Sequence, residues 1–268
     1  MLLAIDVGNT NIVVGVYQEP KGSDPRGSDP VLVESGRMST GPVRTVDEYA
    51  ITLGGLLERL QVPPGSVRRI CIVSVVPKAT AGVKQALKTL CKSKPLVVGE
   101  DCRIPIANRY RDPRQVGADR LVNAVAARRR YGAPVVIVDF GTAITVDLVS
   151  ARGAYLGGMI APGLEIALEA LMTRAALLPR IDLAKPREVL GRDTVTSMQS
   201  GVVHGYGALC DGLVTKLKQA AKVRRAPVIA TGGHASFIAP YCRTVTDVDA
   251  TLTLDGLAII AHGLKSSR

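Results

Sequence analysis

The chain has no tryptophan, only two phenylalanines and only three histidines. Surfaces that stack single-stranded bases are built from aromatic rings, so that mode of nucleic-acid binding has little material here. No apolar run approaches the roughly 18 residues that a membrane helix requires. The opening MLLAID places an acid at position 6 and no basic stretch ahead of an apolar segment, unlike a secretory leader. Cys71, Cys91, Cys102, Cys210 and Cys242 are odd in number and form no CxxC pair. Such spacing excludes a zinc ribbon or a disulfide frame and suits reduced, mostly buried thiols in a cytoplasmic protein. His204, His234 and His262 show no metal-ligand spacing and read as structural. GxxxxGK[ST] is missing, and GYGALCDG (205–212) fails the GxGxxG spacing, so neither device holds a nucleotide.

What the sequence does have is aliphatic bulk and positive charge. Hydrophobic residues make up 47% and aromatics 3%, so the core must be built from Ala, Val, Leu and Ile. A length of 268 residues suits one large domain or two of about 130. The net charge of +11 favours an anionic partner, either a polyanion or a small anionic substrate such as a nucleotide. The densest basic cluster, Arg128-Arg129-Arg130, closes LVNAVAARRRYG, where cations complement the end of a helix. It reads as a solvated helix terminus.

Periodicity predicts a hairpin over 2–17 and strands at 31–38, 68–77, 95–99, 134–140, 144–149, 154–160 and 227–231. Helices are expected at 45–60, 78–91, 117–131, 163–178, 194–221 and 254–264. Residues 18–30, QEPKGSDPRGSDP, write GSDP twice and read as a flexible excursion, because Gly, Ser, Asp and Pro build no core. Strand–helix alternation with a hairpin opening each half predicts an α/β protein of two lobes, residues 1–115 and 116–268.

The two hairpins repeat a pattern. LLAIDVGNTN and VIVDFGTAIT each run a β-branched strand into an Asp, turn at Gly, and resume as an apolar strand. Gly at such a turn lets backbone N–H groups approach a ligand, and small polar neighbours add donors. The acid at the strand end holds a metal ion or its waters. A third glycine turn, Thr231-Gly232-Gly233 in PVIATGGHAS, suits close backbone approach to a flat ligand such as a nucleoside. GADR (117–120) opens a helix, where free N–H groups favour an anion; Asp119 can accept a hydroxyl proton and Arg120 can fork onto a carboxylate.

Together these turns resemble the actin, sugar kinase and Hsp70 superfamily. DVGNTN, YRDPRQVGADRLVNA (110–124), VDFGTAITVD (138–147), GGMIAPG (157–163) and TVTSMQSG (194–201) narrow the resemblance to type III pantothenate kinases, with IVSVVP and LTLDGL as similar connecting segments. The GSDP loop is longer than that family's tight connection.

The resemblance implies two actin-like (ribonuclease H-like) lobes, each a mixed sheet with flanking helices, and ATP in the cleft between them. It implies phosphoryl transfer from ATP to pantothenate, with Asp119 as proton acceptor. ATP would meet Asp6, Val7, Gly8, Asn9, Thr10, Asn11, Ile12 and Val13, then Thr142, Gly232 and Gly233. Pantothenate would meet Tyr110, Gly117, Ala118, Asp119, Arg120 and Thr194. Asp6 would orient Mg²⁺ through water, and Asp139 would ligate K⁺ or NH₄⁺. A homodimer is expected, built partly on the apolar segment 164–178, with no membrane and no nucleic acid as partner. The family also includes proteins described as accessory transcription factors, so a non-catalytic nucleotide-binding regulator is the alternative. A sugar or acetate kinase would call for a different acceptor motif.

Overall fold

A computed structural model describes residues 1–20, 29–42, 44–63 and 65–264. Most of the GSDP excursion, 21–28, lies outside the described residues. Two compact units form, each around a five-stranded mixed sheet. The first takes in Met1–Ile106, Arg111–Ala126 and the segment from Thr251 on; the second takes in Ala107–Tyr110 and Ala127–Ala250. This partition is not one cut in the chain like the boundary at 115/116, because the apolar C-terminal helix returns to the first sheet.

That sheet comprises β1 (Leu2–Val7), β2 (Asn11–Gln18), β3 (Val31–Ser39), β4 (Arg69–Ser74) and β5 (Pro95–Val97), ordered β3-β2-β1-β4-β5. β1 pairs antiparallel with β2 and parallel with β4, so Leu2–Ile5 are wholly buried. Helices α1 (Val46–Arg59) and α2 (Pro77–Cys91) supply Leu53, Leu57, Val83 and Leu87 to the core that Leu3, Ile5 and Val14 also build. α1 begins where TVDE predicts: the Thr45 hydroxyl accepts from the Glu48 N–H, and the Thr45 N–H donates to the Glu48 carboxylate. Pro77 is the first residue of α2 and not the last of a strand, a position where its missing N–H loses no bond.

Further along come α3 (Ala118–Tyr131) and, at the C-terminus, α7 (Leu252–Gly263). α7 lies so close to α3 that a Cβ at Gly256 would fall 2.4 Å from the Val122 carbonyl oxygen. Its buried Asp255 accepts the hydroxyl of Tyr17 at 2.7 Å and that of Thr251 at 2.6 Å.

The second sheet comprises β6 (Val135–Phe140), β7 (Ala143–Val149), β8 (Tyr155–Pro162), β9 (Val228–Thr231) and β10 (Asp247–Val248), ordered β10-β9-β6-β7-β8. Helices α4 (Leu164–Arg174), α5 (Thr194–Ala220) and α6 (Ala235–Ile238) accompany it, and Val203, Cys210, Val214 and Ile238 pack with Val136, Val138 and Val146. β10 was not expected, since two residues show no period. α4 stops at Arg174 and not at 178. Pro179 bars the helix from running past Leu178, but the backbone is already extended at Ala175, and no residue of the segment marks that earlier stop. In α5 the Asp193 carboxylate accepts the Thr196 N–H at 2.9 Å, and these bonds hold that carboxyl below its ordinary range.

Because the atom facing Gly256 is backbone, Gly256→Ala cannot be relieved by a side-chain rotation. It should lower unfolding free energy by about 1–3 kcal/mol, read as a lower Tm in thermal denaturation. An unchanged Tm would mean that α3 and α7 separate freely.

Candidate functional site

In the first unit β1, β4 and β5 run parallel, so their carboxyl ends share one edge of the sheet, where open α/β sheets place ligands. β1 ends in Asp6 and Val7, and the turn closes with the Gly8 N–H donating to the Asn11 carbonyl at 3.0 Å. Asn9, Thr10 and Asn11 are exposed, whereas Val7 and Ile12 are wholly buried, so any ligand contact of those two is through backbone. Thr40 braces the turn: its hydroxyl donates to the Gly8 carbonyl at 2.6 Å and its N–H to the Thr10 carbonyl at 2.9 Å. On the other side the Val75 N–H donates to the Val7 carbonyl at 3.2 Å.

α3 starts at the same sheet edge. Just beyond β5, a Cβ at Gly99 would touch the Ala118 methyl at 3.4 Å, which sets the helix start beside the carboxyl end of that strand. The Asp119 carboxylate folds back to accept the Arg120 N–H at 2.8 Å. It occupies the space over Gly117, where a Cβ would lie 2.4 Å from Asp119 Oδ1, so Gly117 and Asp119 form one local unit. Arg120 is buried at 7% exposure and is therefore not a solvated first-turn arginine.

The second unit repeats the arrangement with different bracing. β6 and β9 are parallel, and Asp139 pairs in register with Thr145 on β7 and Thr231 on β9. Gly232 has φ +92°, and a Cβ there would sit 2.3 Å from Asp139 Oδ1. Only glycine combines that backbone with that approach. Behind it the His234 N–H donates to the Phe140 carbonyl at 3.1 Å. Gly163, at the start of α4, donates its N–H to the Thr142 carbonyl at 3.1 Å, and the Tyr206 hydroxyl donates to the Pro162 and Gly163 carbonyls at 3.1 Å. The structure thus brings Asp139, Thr142 and Gly232 together around one turn, with Gly233 exposed beside it.

Tyr110 lies over Gly157 at the start of β8, 3.1 Å from where a Cβ would stand. Thr194 opens α5 and lines a cavity of about 960 Å³ with Leu171, Leu178, Met198 and Tyr206. Both belong to the second unit, and Gly117–Arg120 belong to the first. Thr40, Gly163 and Tyr206 went unread in the sequence. The GGMIAPG stretch pointed to Gly163, but nothing near Thr40 signals a partner 30 residues away. Burial pushes the Cys71 thiol up to about 12, so it stays protonated and inert.

A family model described as type III pantothenate kinase matches residues 2–216. The type III pantothenate kinase of Geobacter sulfurreducens is 45% identical over 261 residues, covering 97% of this chain and 98% of that protein. That of Citrifermentans bemidjiense is 44% identical over 260 residues with the same coverage. The chain belongs to the type III pantothenate kinase family. Among solved structures, a putative Baf family transcriptional activator from Campylobacter jejuni aligns with TM-score 0.56 at 19% identity, covering 98% of this chain and 99% of that one. A putative 2-dehydro-3-deoxygalactonokinase from Sinorhizobium meliloti aligns with TM-score 0.56 at 12% identity, covering 99% of each. At those identities the likeness is one of fold, and it agrees with the expected two-lobed, actin-like class. For a type III pantothenate kinase, the two acid-bearing turns and the GADR helix start are the features of this chain that suit phosphoryl-transfer chemistry.

Proposed function

We propose that the chain transfers the γ-phosphoryl group of ATP to the primary hydroxyl of pantothenate, giving 4′-phosphopantothenate in the first step towards coenzyme A. The family match along nearly the whole chain is the observation that carries this reading. Phosphoryl transfer needs the donor's charge neutralised, the acceptor held in line and its hydroxyl oriented. Asp119 accepts the hydroxyl proton, and Arg120, Tyr110 and Thr194 bind the acceptor. The backbone and side chains of Gly8–Asn11 cradle the phosphates, with Thr142, Gly232 and Gly233 completing the nucleotide contacts. A non-catalytic regulator would have no chemical use for Asp119.

Among the described residues no cluster of three or more His, Cys, Asp or Glu side chains stands ready for a metal. A phosphate-borne Mg²⁺ needs none, since one carboxylate, waters and phosphate oxygens complete its shell. Asp6, partly exposed at the strand end before the exposed Asn9, Thr10 and Asn11, fits that requirement. When bound, Mg²⁺ would neutralise charge on the phosphates. Asp139 is set instead among backbone groups of Phe140 and Gly232, a weakly charged oxygen site that suits K⁺ or NH₄⁺. All five cysteines are free thiols, which suits a cytoplasmic protein.

Ile166 and Leu171 on α4 are 46% and 40% exposed, and Leu177, Val189 and Leu190 beyond it reach 95%, 74% and 71%. A second copy of the chain would cover this apolar face and close the cavity beside Thr194, forming a homodimer.

Purified protein given ATP and pantothenate should release ADP, whereas release with glucose or acetate alone would reassign the substrate. Asp119→Asn should lower kcat by ~10²–10⁴ with ATP binding little changed; near-normal turnover would reduce Asp119 to a helix-capping acid. Turnover should need Mg²⁺ and, separately, K⁺ or NH₄⁺, with Na⁺ a poor substitute. Asp139→Asn should blunt the monovalent response, and a K⁺ titration unchanged in that variant would remove the assignment. Light scattering should give twice the 28.2 kDa of one chain; a fully active monomer would rule out the dimer.

A further inference from the structure

The amino ends of β6 and β9 lie opposite the turn-bearing end of the second sheet, and a cavity of about 650 Å³ opens there. Its walls include Tyr131, Pro134, Ala151 and the stretch Lys222–Pro227. The volume falls in the range of small-molecule sites. Lys222, Arg224 and Arg225 are exposed on its wall, and exposed Arg152 adjoins Ala151. Among the described residues no carboxylate pairs with any of these four.

The nearby cations that do have partners are different ones. Arg128 donates to the Gly153 carbonyl at 3.1 Å, and Arg130 pairs with Asp249 at 2.7 Å. Asp249 also accepts the Tyr131 hydroxyl at 3.2 Å, and Asp247 faces the same phenol. Helix ends account for only part of the remaining charge. α3 and α5 both finish at this rim, and two helix C-termini together amount to about one negative elementary charge. Four cations exceed that even with Asp247 counted against them.

We propose that this cavity binds a small, multiply charged phosphate compound, of the inorganic polyphosphate or nucleoside polyphosphate class. Adjacent guanidinium groups match phosphate oxygens in a fork, and Lys222 adds a point charge. β6 alone is six residues long, so roughly 20 Å separates the cavity from the Asp139 turn. A compound held here is not the phosphoryl donor at that turn, and the inference stands whether or not the chain phosphorylates pantothenate.

The test is calorimetric titration of the full chain with inorganic tripolyphosphate, in wild type and in variants of the cavity wall. A binding event that weakens as salt rises should appear. In Lys222→Ala/Arg224→Ala/Arg225→Ala it should weaken about tenfold or more, while kinase turnover stays within about twofold of wild type. Arg224→Gln, a single exposed change, should weaken it about threefold or more and serves if the triple variant fails to fold. A GTP affinity lowered by the same variants supports the nucleotide source; a GTP affinity they leave unchanged supports the phosphate chain alone. No tripolyphosphate binding to the wild type, unchanged affinity in both variants, or capture of duplex DNA without tripolyphosphate binding would each overturn the proposal.

Discussion

The functional geometry depends on the double pairing of β1 and of β6. Each is antiparallel to its hairpin partner and parallel to a crossover strand. Asp6 faces Val13 on one side and Val73 on the other; Asp139 faces Thr145 and Thr231. A strand flanked in this way has its backbone satisfied and its side chains buried along its length. Leu2–Ile5 and Val135–Val138 are all wholly buried. Only near the carboxyl end does a carboxylate escape the core, and both acids are partly exposed there. The sheet therefore determines where the acid stands, and the following glycine determines how closely a ligand backbone or phosphate can come.

The two turns are held by different means. Thr40 clasps the first from outside through its hydroxyl and N–H, which leaves Asn9, Thr10 and Asn11 exposed as donors. The second is hemmed in by glycine backbone: Gly163 lies on Thr142 and Gly232 on Asp139, each closer than a Cβ would allow. Side-chain donors thus dominate one turn and backbone oxygens the other. On that contrast rests the proposal of phosphates with a divalent ion at the first turn and a monovalent ion at the second.

The parts legible in the sequence were those whose signal is local. Alternating β-branched runs marked the strands within a few residues, and TVDE marked the start of α1. Asp-x-Gly and Thr-Gly-Gly marked turns that the structure does bring to strand ends. What stayed hidden depends on distant contacts. Nothing in the sequence ties Thr40 to Gly8, or shows that Arg120 is buried at 7% exposure while it begins a helix. The helix read to 178 ended at Arg174, where Ala175 turns to extended backbone while the apolar spacing runs on. RRR read as one solvated cluster, yet Arg128 and Arg130 each have a specific acceptor.

LTLDGL shows what a family-like segment contributes when it touches no substrate. α7 is buried on nearly every face, through Leu252, Leu254, Gly256, Leu257, Ala258, Ile260 and Ala261. A helix that is apolar all round has no preferred face, so hydrophobic burial alone leaves its rotation undetermined. Asp255 removes that freedom, since a buried carboxylate must meet its donors, and the hydroxyls of Tyr17 and Thr251 supply them at 2.7 and 2.6 Å. With the rotation fixed, Gly256 faces Val122 and lets α3 approach to backbone contact. α3 begins at Ala118 and Asp119, immediately after Gly117. A polar contact deep in the first unit therefore positions the helix whose half-buried first turn bears the proposed proton acceptor, through a chain of contacts in which no member need meet ATP or pantothenate.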